Sequence, residues 1–375
     1  MSVWDKVREV EQRRREHGTS EPSTGFPWNT VGAIALSALT FIPHSVQDYQ
    51  TTYKPDLTRP GTTADTTTVA DTVNAANKTA RRQSKTEDQT QNKNEPVVTG
   101  AQDTTNTTQK NSSYHRPRTK TGFKDETIPI LMYHKVGRPE NRYTVSEERL
   151  ETQLETLYEN NYYCVSLDDY LEADFDDIPS GKKPFVITFD DAAPSQFQLT
   201  DQGRPDTSTA AGILEQSFEE YEDFGKGGTF YVSYAGDNHD FRHAFGGDES
   251  TKLSWLQENG YTVGYHTPYH EDNEHADPGD IDEQTTILHA LIDDATSEPV
   301  RKHYAHPFGA RPEGVAMDSL ESTYTSIVDA WGGFAPHPRS PRFDQHSIPR
   351  VETNAKTFPI IIDRETYTVD EARNP

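Results

Sequence analysis

Two short apolar runs in this chain end in side chains that ligate metals. Phe185-Val186-Ile187 leads into Thr188-Phe189-Asp190-Asp191, and the segment from Tyr261 to Tyr265 leads into His266-Thr267-Pro268-Tyr269-His270. Runs this short, closing on polar groups, read as buried strands, and parallel strands deliver such groups to one common edge of a sheet or barrel. Two histidines four residues apart can share one side of a helical turn. A carboxylate added to them makes three protein ligands, with coordination positions left for water and substrate, which is catalytic rather than structural stoichiometry. The second carboxylate of the adjacent pair is then available as a base towards water. Taken singly, an Asp-Asp pair at a strand end caps a turn or helix, and a lone His-x-x-x-His lies on a surface. Their shared placement after strands is what favours a hydrolytic metal site.

From about residue 126 to 350 the chain resembles the polysaccharide deacetylase family, the NodB-homology domain of carbohydrate esterase family four. The blocks that carry the resemblance follow in order: Ile128-Pro129-Ile130-Leu131-Met132-Tyr133-His134-Lys135-Val136; Val145-Ser146-Glu147 through Tyr158 to Val165-Ser166-Leu167-Asp168-Asp169-Tyr170; the Thr-Phe-Asp-Asp motif; Thr229-Phe230-Tyr231-Val232; the His-Thr-x-x-His motif; and Tyr304-Ala305-His306-Pro307-Phe308-Gly309. The resemblance implies an α/β fold, a distorted (β/α) barrel with about seven repeats. It also implies a divalent metal, zinc foremost, and removal of N-acetyl groups from a polysaccharide of N-acetylated sugars. On that alignment Asp190 is the general base and Asp191, His266 and His270 hold the metal. His134, Tyr269, His306, Pro307 and Phe308 fall at substrate-binding positions, and Thr267 fixes the loop between the histidines through its side chain.

The chain departs from the family pattern at three points. Ala192 replaces the glycine that follows the Asp pair, so the turn is expected to form without a positive φ or to be remodelled. Ala305 stands where many members carry an arginine that orients the base, and Arg350 is the candidate replacement. In the family the general acid is usually a histidine late in the domain, and on that resemblance His346 is the nearest candidate by position, with His303, His306 and His337 as alternatives. An O-acetyl esterase and an inactive glycan-binding module of the same fold are the competing functional readings. Between the motifs, 210–224 has helical spacing, and the preceding loop with Ser195-Gln196-Phe197 is expected to wall a substrate groove, with 237–249 as a second rim.

Composition divides the 375 residues. Residues 1–25 are charged and include Arg13-Arg14-Arg15; 26–43 hold the strongly apolar stretch from Val31 to Ile42; 44–124 are rich in Thr, Asn, Gln, Asp and Ser; and 125–375 form the enzyme-like domain. The third of these is too polar to offset ordering entropy and reads as a disordered tether. It contains three glycosylation-type sequons at Asn77, Asn106 and Asn111. The apolar stretch is short for a membrane span and reads as an uncleaved N-terminal anchor, with a removed signal as the alternative. An extracytoplasmic, membrane-anchored enzyme is therefore expected, or else a secreted one. A net charge of −25 argues against nucleic acid as a partner and suits high-salt surroundings. With Cys164 alone, neither an intrachain disulfide nor a thiolate zinc cluster can form.

Overall fold

The computed structural model describes Phe123 and residues 125–235 and 242–369. The charged and apolar N-terminal segments, the tether apart from Phe123, and 237–241 of the expected rim lie outside the described residues. Among the described residues no helix is long and apolar enough to cross a membrane.

The framework is one parallel sheet of eight strands. These are β1 (Ile130–Tyr133), β2 (Tyr162–Cys164), β3 (Lys183–Asp190), β4 (Thr229–Val232), β5 (Thr262–Tyr265), β6 (His303–Ala305), β7 (Ser326–Val328) and β8 (Val351–Glu352). The path runs β7-β6-β5-β4-β3-β1-β8, and β2 pairs with the start of β3 off this path. The two ends of the path meet. Ile348, just ahead of β8, bridges Val328 in parallel, receiving an N–H bond from Asp329 at 2.8 Å and donating its own to Ile327 at 3.1 Å. Val351 in turn pairs with Leu131. The segment 348–352 therefore closes a ring, and the fold is a distorted (β/α) barrel.

Side-chain alternation along the strands separates the two faces of this ring. Leu131, Ile187, Phe230, Val263, Tyr304 and Ile327 share a cluster with the helices outside. One of these is α1 (Glu147–Glu159), whose Leu150, Leu154 and Leu157 recur at helical spacing and whose first turn is capped by the Ser146 side chain on Arg149 N–H. Ile130, Val186, Tyr231, Ala305, Val328 and Ile348 form the second cluster, which fills the barrel. Gly264 of β5 is required here, because a Cβ would lie 2.4 Å from the Tyr231 ring. Following the same alternation upward, Val186 leads to Thr188 and Asp190 on β3, and Ile348 leads to Arg350 ahead of β8. The top layer of the interior is thus polar.

The remaining helices are α2 (Leu167–Glu172), α3 (Ala210–Glu220), α4 (Glu249–Glu258), α5 (Pro278–Ala295), α6 (Val315–Thr323) and α7 (Phe358–Asp363). The helix expected over 210–224 stops at Glu220, where Tyr221 turns to extended backbone and stacks on Tyr158 at 4.3 Å. Cys164 is a buried core residue of β2, as its sequence setting suggests.

Candidate metal centre

Asp191, His266 and His270 converge at the C-terminal edge of the barrel, after β3 and β5. Asp191 Oδ1 lies 3.4 Å from His266 Nε2 and 3.2 Å from His270 Nε2. That oxygen is buried and has no hydrogen-bond partner. Ligand atoms around a tetrahedral zinc ion, with bonds of about 2.0 to 2.1 Å, stand about 3.3 Å apart. The donor set and its spacing fit such an ion. His266 Nδ1 donates to the Ala305 carbonyl at 2.9 Å, which leaves the Nε2 lone pair facing Asp191.

The spacing suggests a shared helical turn for the histidines, but they do not share one. The segment after β5 is irregular, with positive φ at Thr267 (57°) and His270 (53°). Pro268 disfavours the right-handed helical region at Thr267. Thr267 does brace the loop, its Oγ1 accepting from Glu271 N–H at 3.1 Å. Further along, Asn273 and Gln284 of α5 exchange two side-chain bonds of 2.9 Å in a buried setting and tie the loop to the helix layer.

Asp190 and Arg350 meet as a fully buried, bidentate pair. Both guanidinium NH groups donate to Asp190 at 2.7 Å, one of them also to Thr188 Oγ1 at 3.0 Å, and Nε donates to the Asp329 carbonyl at 2.8 Å. Below this fork lies the Tyr231 ring, 5.4 Å from the guanidinium carbon. Burial pushes the Asp190 carboxyl up, but the Arg350 charge and its hydrogen bonds outweigh burial and hold the group below the usual carboxylate range. Arg350 thus stands beside Asp190, as expected of the candidate replacement. Ala305 on β6 also faces the barrel interior.

The turn after Asp190 is strained in a way the sequence does not require. Asp191 (φ 86°) and Ala192 (φ 50°) both adopt positive φ without glycine. Gln196 supports this turn from below: fully buried, it donates to the carbonyls of Asp190 and, at 2.8 Å, of His134. The segment expected to wall a groove thus acts as a scaffold for this turn. Ala192 accepts a further bond from Phe245 N–H at 2.7 Å, and Lys252 Nζ reaches the Phe245 carbonyl and Gln198 at 2.9 and 3.0 Å.

Of the other expected residues, His134 reaches the same edge from β1. It is half-buried, with its imidazole pushed down by burial against the pull of the Asp191 and Asp190 charges. His306 is buried after β6, and neither ring nitrogen has a hydrogen-bond partner. Pro307 is buried, Tyr269 is partly buried against the core, and Phe308 is exposed with its ring edge-on to His270 at 4.3 Å. His346 is not in the site: its Nε2 faces the Tyr324 carbonyl at 3.1 Å, ahead of β7 and so at the far end of the barrel. Position in sequence misleads here because 344–350 runs up the barrel wall and only its last residue reaches the top. His303 is bound to Ser326 and Asp168, and His337 stacks on Phe123 at 4.1 Å, so both serve the fold. Two rim residues carried no motif signal: Trp331 after β7 and Tyr143 after β1, both about half exposed.

No protein-family model matches the chain, and no curated protein sequence matches it. Several solved structures resemble it in architecture. The Streptococcus pyogenes deacetylase PplD, solved with acetate, is 18% identical with a TM-score of 0.48, over 63% of this chain and 97% of that one. A polysaccharide deacetylase from Bacillus cereus is 20% identical with a TM-score of 0.48, over 64% of this chain and 68% of that one. IcaB from Ammonifex degensii is 18% identical with a TM-score of 0.44, over 64% and 97%.

Proposed function

We propose that the chain is a metal-dependent hydrolase that removes N-acetyl groups from a polysaccharide. The observation that carries this reading is the meeting, on one barrel edge, of a three-ligand metal cluster and a carboxylate clamped by arginine. Asp191, His266 and His270 would hold a divalent ion, with zinc the best match to two imidazoles and a carboxylate. Bound there, the ion supplies a Lewis acid for the acetyl carbonyl and makes water easier to ionise. Asp190 takes the proton of the attacking water; Arg350 keeps it charged and fixes the direction of its oxygens. The leaving amine needs a proton, which Asp190 can return once it has taken one from the water; His134, half-buried with its imidazole pushed down by burial, borders the site. His346 has no part in this scheme.

We further propose that the enzyme works outside the cytoplasm on an N-terminal anchor. That rests on the apolar stretch ahead of the polar tether and on the acidic composition, which also suits salty surroundings. The deciding experiment for the activity is acetate release from N-acetylglucosamine oligomers and O-acetylated glycans, after chelation and again after adding zinc. Zinc-restored release from the amide substrates is expected. Release from the esters alone would make the protein an esterase, and no release from any substrate would point to a binding module or to a glycan outside the panel.

A further inference from the structure

The loop after β1 places an aromatic ring and an ion pair on the rim beside His134. Tyr143 packs its ring 5.0 Å from that of His134 and stays 48% exposed. The loop is held from both sides: Lys135 N–H donates to the Tyr143 carbonyl at 2.9 Å, and Tyr143 N–H donates to Asn141 Oδ1 at 2.8 Å. Next to it, Arg142 forks onto Glu352 of β8 with bonds of 3.0, 3.1 and 2.8 Å. The Arg142 guanidinium lies 5.2 Å from the centre of the Tyr143 ring. Glu352 is two residues from Arg350, so the strand that clamps Asp190 also carries this acceptor. An aromatic ring fixed by its backbone and left open to water thus lies between an ion pair and the catalytic edge.

We infer that Tyr143 and Arg142, the latter positioned by Glu352, form a separate sugar subsite, which takes the unit adjoining the one whose acetyl group faces Asp190. A pyranose presents C–H groups on its face and hydroxyls around its edge. The Tyr143 ring matches the face, and the Arg142 guanidinium, 56% exposed and held in place by Glu352, matches the hydroxyls. Contact with His134 makes the subsite continuous with the catalytic edge, so its occupant is part of the same polymer. The inference rests on the deacetylase reading and adds to it which residues grip the neighbouring sugar unit of the polymer.

The test compares acetate release from the di- and pentasaccharides of N-acetylglucosamine by the full chain and its variants. Wild type is expected to favour the pentasaccharide through KM. Tyr143→Ala is expected to lose about tenfold of that preference, the weight of one stacked aromatic contact, while Tyr143→Trp keeps it. Binding of the pentasaccharide to Asp190→Asn protein gives a second readout, in which adding Tyr143→Ala should weaken affinity by a similar factor. An unchanged length preference and affinity in Tyr143→Ala overturns the subsite and leaves the deacetylase reading intact. A wild-type protein that neither cleaves nor binds these oligomers sinks both.

Discussion

Replacing Arg350 by methionine isolates what the guanidinium does for Asp190. The substitution keeps much of the buried volume but removes two 2.7 Å bonds to the carboxylate, one to Thr188 and one to the Asp329 carbonyl. Breaking a buried ion pair from one side costs about 3 to 5 kcal/mol, because the remaining charge is left without a partner. The sign of the pH dependence follows from the same pair. In the wild type the Asp190 carboxyl is held below its usual value, so the pair stabilises the fold fully above that value and the contribution is lost only as pH falls through the lowered one. Without Arg350, burial dominates and raises the carboxyl above its usual value, so the group destabilises at high pH and is relieved as it protonates. Urea unfolding of chelated protein should therefore show a loss of about 3 to 5 kcal/mol at pH 8 and a clearly smaller one at pH 5. Adding Asp190→Asn should recover about 2 kcal/mol or more of the pH 8 loss, the coupling expected of contacting residues. Equal losses at both pH values, with additive effects in the double variant, would refute the claim that Arg350 acts through the Asp190 charge.

Other perturbations separate the remaining roles. Asp190→Asn should keep stoichiometric zinc and lower kcat by at least about a hundredfold, whereas His266→Ala should lose the metal together with the activity; metal analysis of the two proteins decides. If Asp190→Asn loses the metal instead, the two carboxylates have exchanged roles. Gln196→Ala leaves two buried carbonyls short of a donor and should weaken zinc binding about tenfold by loosening the turn that carries Asp191, as a competition titration would report. Asp168, bonded to Arg301 at 2.7 Å and His303 at 3.0 Å, has its carboxyl lowered to about 2 despite burial. Its pairing should contribute about 2 kcal/mol above pH 4, lost as pH falls towards 2, and Asp168→Asn should flatten that part of the acid-unfolding curve.

What was legible in the chain is what local pattern determines. The strands Phe185-Val186-Ile187 and Tyr261 to Tyr265 announce themselves as apolar runs, and the ligands that end them reach one edge because parallel strands share a direction. The geometry between the ligands was not legible in the same way. A spacing of four suggests a helical turn for His266 and His270, whereas the segment takes positive φ at Thr267 and His270, a conformation the local sequence does not announce. The Asp191–Ala192 turn shows the same limit. Nothing local asks for two positive φ values there; the support comes from Gln196 and Phe245, which the fold brings in from outside the turn.

Arg350 lies 160 residues from Asp190, and no periodicity connects them. The segment before it has no apolar run to mark a strand, so the closure of the barrel through Ile348 cannot be read from pattern. Once the ring exists, alternation leaves little choice. Ile348 bridges Val328 and points inward, so Arg350 also points inward, one layer higher and level with Asp190. Its guanidinium then lies over the Tyr231 ring with both NH groups on the carboxylate. The requirement it meets is physical: a carboxylate this deeply buried needs a cation aimed at it, and here the closing segment supplies one from 160 residues away.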